Sequence, residues 1–361
     1  MKGFIGRVLF LWCLCSTTWA QSAQVVFLNP GKSNEDFWVL YSRFMQAAAN
    51  SLGMDLQVLY AERDPHQQIS QARQILLGSN RPDYLLFSNE EYVAPEVLRL
   101  AAHSGVKLFM VHNVLTADQQ KALGAPREKY PNWIGSLISN DDEAGYLIAD
   151  QLIRQHQASA GEGPVDMLAF AGNRATPVSQ ARERGLRKAL AEHPQVRLRQ
   201  LALGNWSQQR SYEQAQLLFT RYPDVRLVWA ANDQMAFGAI QALQERGGKP
   251  GHDVLFSAIN SSERVLQART NGDISVLASG HFTLGGWAMV MLHDYHAGLD
   301  FAARGGIERK DRLFVLLDAQ QAGKLRNRLQ KKDFDLDFRR FSAVGQPHMR
   351  NYTFSLRPLL Y

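Results

Sequence analysis

A chain of 361 residues is long enough for two domains of ordinary size, each with its own core. Hydrophobic residues make up 45% and charged residues 20%, which excludes a disordered chain. The formal charge of +6 falls to +4 without Lys2 and Arg7, and the densest basic cluster, residues 326–332, runs straight into Asp333, Asp335 and Asp337; a solvated helix face accounts for it, and nucleic acid is not expected as a partner.

The start is short and basic, residues 8–15 are apolar, and Thr18-Trp19-Ala20 offers a small-x-small cleavage site. Residues 1–20 therefore read as a cleaved secretory signal peptide, with cleavage after Ala20 or, as the alternative, after Ala23. An uncleaved anchor is the competing reading, although the apolar run is too short to span a bilayer. The chain is therefore expected to be exported. Both cysteines, Cys13 and Cys15, fall in this leader, so the mature chain is expected to form neither a disulfide nor a thiolate metal site.

Strand and helix signals then alternate. Short β-rich runs at 24–28, 56–60, 84–87 and 106–111 are separated by helical periodicities at 36–51, 66–78 and 95–104. The segment 115–132 is polar and irregular. A strand at 134–138 and a helix at 142–155 follow, and the pattern begins afresh. Strands at 165–171, 196–202, 225–230, 253–259 and 274–278 alternate with helices at 179–193, 207–222, 235–246 and 262–270. A helix at 281–299 and a tail with a strand at 313–317, a charged helix and an aromatic-rich end complete the chain. Such a series builds parallel sheets with helices on both faces. The expected fold class is α/β, with two doubly wound half-chains.

The motifs of an activated nucleophile, a phosphate loop or a metalloprotease are missing, and neither an enzyme nor a cofactor is expected. His293 and His296 fit an ordinary amphipathic face better than a metal site. Asp141 and Asp142 precede a helix, where capping is the simpler role. The most informative stretch is Asn232-Asp233, which ends an apolar strand and opens a helix. In open α/β sheets ligands bind at that edge. An Asn there either caps the helix or both donates to and accepts from a polar solute. Polar residues at strand ends with aromatics beside them suit a sugar: rings stack on C–H faces while Arg, Asn and Asp satisfy hydroxyls.

Over residues 24–299 the chain resembles the type I periplasmic binding proteins, in particular the ribose/galactose group and the autoinducer-2 binding protein. The resemblance implies two lobes joined by a three-strand hinge, with ligand in the interlobe cleft. It implies an N-terminal lobe of residues 24–138 plus 281–308, and a C-terminal lobe of 139–280 plus 309–361. Phe37 and Trp38 match the aromatic pair that stacks on the sugar; a core role for Trp38 is the alternative, and its position at the helix start favours the pocket. Ser33 and Glu35 share that loop, and Ser88 and Asn113 end the third and fourth strands. Arg182 in Ala181-Arg182-Glu183-Arg184-Gly185 matches an arginine that contacts ligand hydroxyls; a surface arginine is the alternative. Trp206 matches a pocket-closing aromatic, and Asn232 the family Asn. Two departures stand out. Asn260 replaces an Asp, and Ser279-Gly280-His281 replaces a Gln, which weakens the case for ribose or glucose. His281 could also make binding sensitive to pH.

The expected function is a monomeric, non-catalytic binding protein that presents a small sugar-like ligand to an ABC permease or to a membrane sensor. The tail suggests extra surface for such a partner. A LacI-type regulator shares the lobes but needs an N-terminal helix-turn-helix, and a secreted enzyme needs a reactive set; neither feature is apparent.

Overall fold

In the computed structural model, which describes residues 22–361, two six-stranded sheets organise the chain. The signal-peptide reading, with Cys13 and Cys15, lies outside the described residues. The first lobe opens with β1 (Gln24–Asn29), α1 (Asp36–Leu52), β2 (Asp55–Tyr60), α2 (Pro65–Leu77), β3 (Tyr84–Phe87), α3 (Ala94–Ala101), β4 (Lys107–Val111), α4 (Ala117–Leu123) and β5 (Trp133–Ser139). The second contains α5 (Asp141–Ala160), β6 (Val165–Ala171), α6 (Pro177–Glu192), β7 (Val196–Leu203), α7 (Gln208–Arg221), β8 (Leu227–Ala230), α8 (Asp233–Glu245), β9 (Leu255–Ile259), α9 (Glu263–Asn271) and β10 (Val276–Ser279). The chain returns through α10 (Leu284–His296) and β11 (Glu308–Asp311) to the first lobe, then ends with β12 (Val315–Leu317), α11 (Ala319–Leu329) and an irregular tail.

Sheet order is β11-β5-β4-β3-β1-β2 in one lobe and β12-β10-β9-β8-β6-β7 in the other. All pairs are parallel except β10 with β12. The chain passes between the lobes after β5, after β10 and after β11, which makes the three-strand hinge. Central strands such as β3, β6 and β8 are buried along their whole length because helices cover both faces. Trp229 and Trp287 lie in one continuous core that joins the lobes behind the cleft, and a second core fills the outer face of the first lobe.

One local expectation is corrected, and the structure adds detail near the hinge. The irregular segment holds α4, which buries none of its residues and therefore carries no apolar period; Thr116 and Gln119 cap it reciprocally. Strand β11 has the charged sequence Glu-Arg-Lys-Asp, unreadable as a strand, and forms because its backbone pairs with β5 at the sheet edge. The lobe boundary expected at 308/309 falls inside this strand. Beyond α11 the tail crosses back: Phe334 and Phe338 pack on Phe44 of α1 at 5.1 and 5.0 Å, so it does not belong to the C-terminal lobe alone. No helix among the described residues is long and apolar enough to cross a membrane.

Candidate functional site

The loops at the carboxyl ends of both sheets face each other across a cleft of about 540 Å³. Asn29 at the end of β1 shapes the first wall. Its amide donates to Ser42 Oγ at 2.9 Å and accepts from Gly31 N at 2.9 Å, folding the loop back onto α1. The Trp38 indole lies against Gly31 where any Cβ would stand. Trp38 is 1% exposed yet lines the cleft, so it belongs both to the core of α1 and to the cleft wall. Phe37 stacks on His281 at 4.6 Å and 16°, and His281 in turn stacks on Phe314 at 5.0 Å. Across the cleft, Trp206 lies over Gly172 in the same way that Trp38 covers Gly31.

Two arginines carry the charge. Arg182, on α6, is 3% exposed and is no surface arginine. Its Nε donates to Asp141 Oδ1 and its Nη1 to the Ala231 carbonyl, both at 2.7 Å, with Trp206 5.7 Å from Cζ. Burial pushes the Asp141 carboxyl up, and the Arg182 charge opposes that. Arg63, after β2, donates through Nε to Glu35 at 2.9 Å and through Nη1 to Glu90 at 2.9 Å, and a second bond joins it to Glu35. Glu90 is itself pushed up by burial.

Burial disfavours the charged form of both imidazoles. Burial, helped by Arg182 and Arg63, lowers His112 to about 3. Burial, then Arg182 and His112, holds His281 well below the ordinary histidine value. Burial of that ring works against the expected pH sensitivity through His281. Trp38 Nε1, Trp206 Nε1, His112 Nδ1 and His281 Nδ1 are all buried without a hydrogen-bond partner in the protein. Buried polar atoms are seldom left so, and four around one cleft point to a polar ligand. Arg63, Glu91, His112, Asn205 and Trp206 also line the cleft with positive φ, a strained backbone that clusters at binding sites.

Eight of the eleven expected residues meet here: Glu35, Phe37, Trp38, Arg182, Trp206, Asn232, Asn260 and His281. Three do not. Ser33 is exposed and its backbone donates to Glu62. Ser88 is fully buried behind the wall, where its hydroxyl accepts from Asn113. Asn113 donates to Glu90 at 2.8 Å and accepts from the Val178 N–H of α6 at 2.9 Å, so it joins the lobes. Asn232 does cap α8, accepting from Met235 N at 2.9 Å, and its amide donates to Trp206 O. Asn260 donates to the buried Asp233 and accepts from Ser261 N. Both line the cleft with part of their bonding capacity already committed. Sequence reasoning missed Arg63 and Glu90 as site residues. Each follows a strand of the first sheet, and that position was the available signal.

The lobes also touch directly. Thr176 Oγ1 donates to Glu90 at 3.3 Å, and Asn173 donates to Glu91 at 3.0 Å. Two doubly wound lobes closing over a polar, aromatic-walled cleft define a solute-binding protein. The periplasmic binding protein domain matches residues 25–300, and the chain belongs to that family, one of binding proteins and not of enzymes. A periplasmic sugar-binding protein from Pseudomonas fluorescens is similar at 51% identity and a TM-score of 0.87, covering 94% of this chain and 100% of that one. The ribose import binding protein of Escherichia coli is 26% identical over 248 residues, which are 68% of this chain and 77% of the relative. An ABC transporter solute-binding protein from Actinobacillus succinogenes, solved with bound D-allose, shares the fold with a TM-score of 0.72 at 18% identity, over 84% of this chain and 99% of that one.

Proposed function

We propose that the protein captures a sugar-like polar ligand between its lobes in the periplasm and presents the closed form to an ABC transporter permease. The observation that carries this reading is the cleft itself: Arg182 and Trp206 on one lobe, Phe37, Trp38 and Arg63 on the other, and four unpartnered buried nitrogens between them. A ligand that bonds to both walls favours the closed state through those shared contacts. The sugar-binding relatives support the ligand class, and the import function of the ribose relative supports the permease. Within the family the reading favours the ribose/galactose branch, with a furanose or pyranose whose ring lies against Phe37 and Trp206. The replaced carboxylate at Asn260 argues for a ligand other than ribose itself.

A thermal-shift screen of the chain from Gln21 tests this with pentoses, hexoses, polyols and autoinducer-2, the last with and without borate. A ligand at about a hundred times its Kd adds roughly 2.7 kcal/mol to stability. One selective hit that Trp206→Ala abolishes is the expected result. A flat panel from well-folded protein overturns the sugar reading, and a hit confined to autoinducer-2 moves the protein to that branch. N-terminal sequencing of the exported chain, expected to begin at Gln21, tests the location.

A further inference from the structure

Residues beyond 300 lie outside the matched family domain, and sugar capture does not explain the part that follows β12. Their path is unusual. Strand β12 pairs with β10, and the Leu317 carbonyl just before α11 accepts from Arg269 of α9 at 2.9 Å, so this segment is fixed to the second lobe. The Leu329 carbonyl at the end of α11 then accepts from Arg43 of α1, on the first lobe, at 3.0 Å. Four exposed residues, 330–333, lead into a turn at Phe334 and Asp335, both with positive φ. From there the chain is fastened to the first lobe. Phe338 N donates to Ser51 Oγ at 3.0 Å. The fully buried Asp294 of α10 accepts from Ala343 N at 2.6 Å and from Tyr352 O–H at 2.7 Å. Phe354 stacks on Trp287 at 5.1 Å and 8°. The end then returns to the hinge: Leu356 packs beside Gly280, and the Pro358 carbonyl accepts from Arg328 of α11 at 3.4 Å.

We propose that the tail is a strap across the hinge that limits how far the lobes open. The three strand crossings permit rotation, whereas the strap ties α11 on one lobe to α1 and α10 on the other. Its linking residues 330–333 can span at most about 14 Å when fully extended. Wide opening must break the Arg43–Leu329 and Arg328–Pro358 bonds and drag Phe334 off Phe44. The unliganded protein therefore stays close to closed, and a ligand finds most of the closure already made.

Small-angle X-ray scattering of the unliganded chain tests this without knowing the ligand. One variant carries ten Gly/Ser residues between Lys332 and Asp333, which slackens the strap and leaves in place every side-chain contact named above, at the cost of the Phe334 N–Lys331 O turn bond. A second adds termination after Ser355, which frees the returning end. The parent should scatter as a compact chain, with a radius of gyration of roughly 20 Å. The insertion should raise that radius and broaden the distance distribution, and the double variant should raise it further. Circular dichroism reports whether each is folded. If the truncated chain does not fold, the insertion combined with Arg43→Gln takes its place. Superimposable scattering from folded parent and slackened chains overturns the proposal.

Discussion

Arg182 is the residue on which the cleft chemistry turns, and its worth is readable from its partner. Removing the guanidinium leaves Asp141 at 3% exposure with no cation, and breaking a buried pair typically costs about 3–5 kcal/mol. Arg182→Met should lose that much in urea unfolding as well as its ligand response. The carboxyl of Asp141 is already pushed up by burial, so without Arg182 it binds its proton more tightly still in the folded state. A folded value above the unfolded one gives stability that is lost as pH rises. The deficit of Arg182→Met against the parent should therefore grow between pH 4 and 7. The histidines act in the opposite direction. Unfolded His112 takes a proton near pH 6.5, while the folded ring resists it down to about 3. Its stability contribution is complete above pH 6.5 and falls as pH drops through that window, by about 2 kcal/mol between pH 6.5 and 5. His112→Gln should flatten this part of the stability profile. An unchanged slope would mean that the ring is not held neutral.

At the scale of elements, α6 has an unusual start. Thr176 precedes it in extended geometry but makes no side-chain cap, and the Val178 N–H is satisfied instead by Asn113 from the opposite lobe. One helix is thus capped only when the lobes meet. Asn113→Ala leaves that donor and one Glu90 oxygen without partners, at about 1–3 kcal/mol each if they stay dry. Hydrogen exchange at the Val178 amide should accelerate, while α7 and α8, capped by Ser207 and Asn232 within their own lobe, should be unaffected. Uniform exchange rates across the three helices would contradict the cross-lobe cap. The elements also divide by how legible they are. Strands β1, β3, β4 and β6 are apolar runs in parallel sheets and announce themselves. Strand β11 and helix α4 exist through edge pairing and capping, which leave no hydrophobic period to read. Trp38 and Arg182 were found by matching motif positions. Arg63 and Glu90 escaped because what places them, two left-handed turns and a triad assembled from three loops, is tertiary.

The whole molecule is two lobes in topology but not in packing. One continuous core contains Phe44, Trp287, Phe282 at the hinge and Trp229, so neither lobe owns it separately. Heating should give a single cooperative transition in calorimetry, with calorimetric and van't Hoff enthalpies in agreement. Two resolved peaks would show lobes that melt independently.

The placement of the indoles beside Gly31 and Gly172 has an optical consequence. Trp133, Trp229 and Trp287 are almost fully buried away from the cleft, whereas Trp38 and Trp206 line it with their N–H groups unpartnered. A solute that bonds those two nitrogens changes the polarity around the fluorophores at the cleft while the other three serve as an internal constant. The unlabelled protein thereby carries its own readout: intrinsic emission should report occupancy, and Trp206→Phe should remove the part contributed by the second lobe.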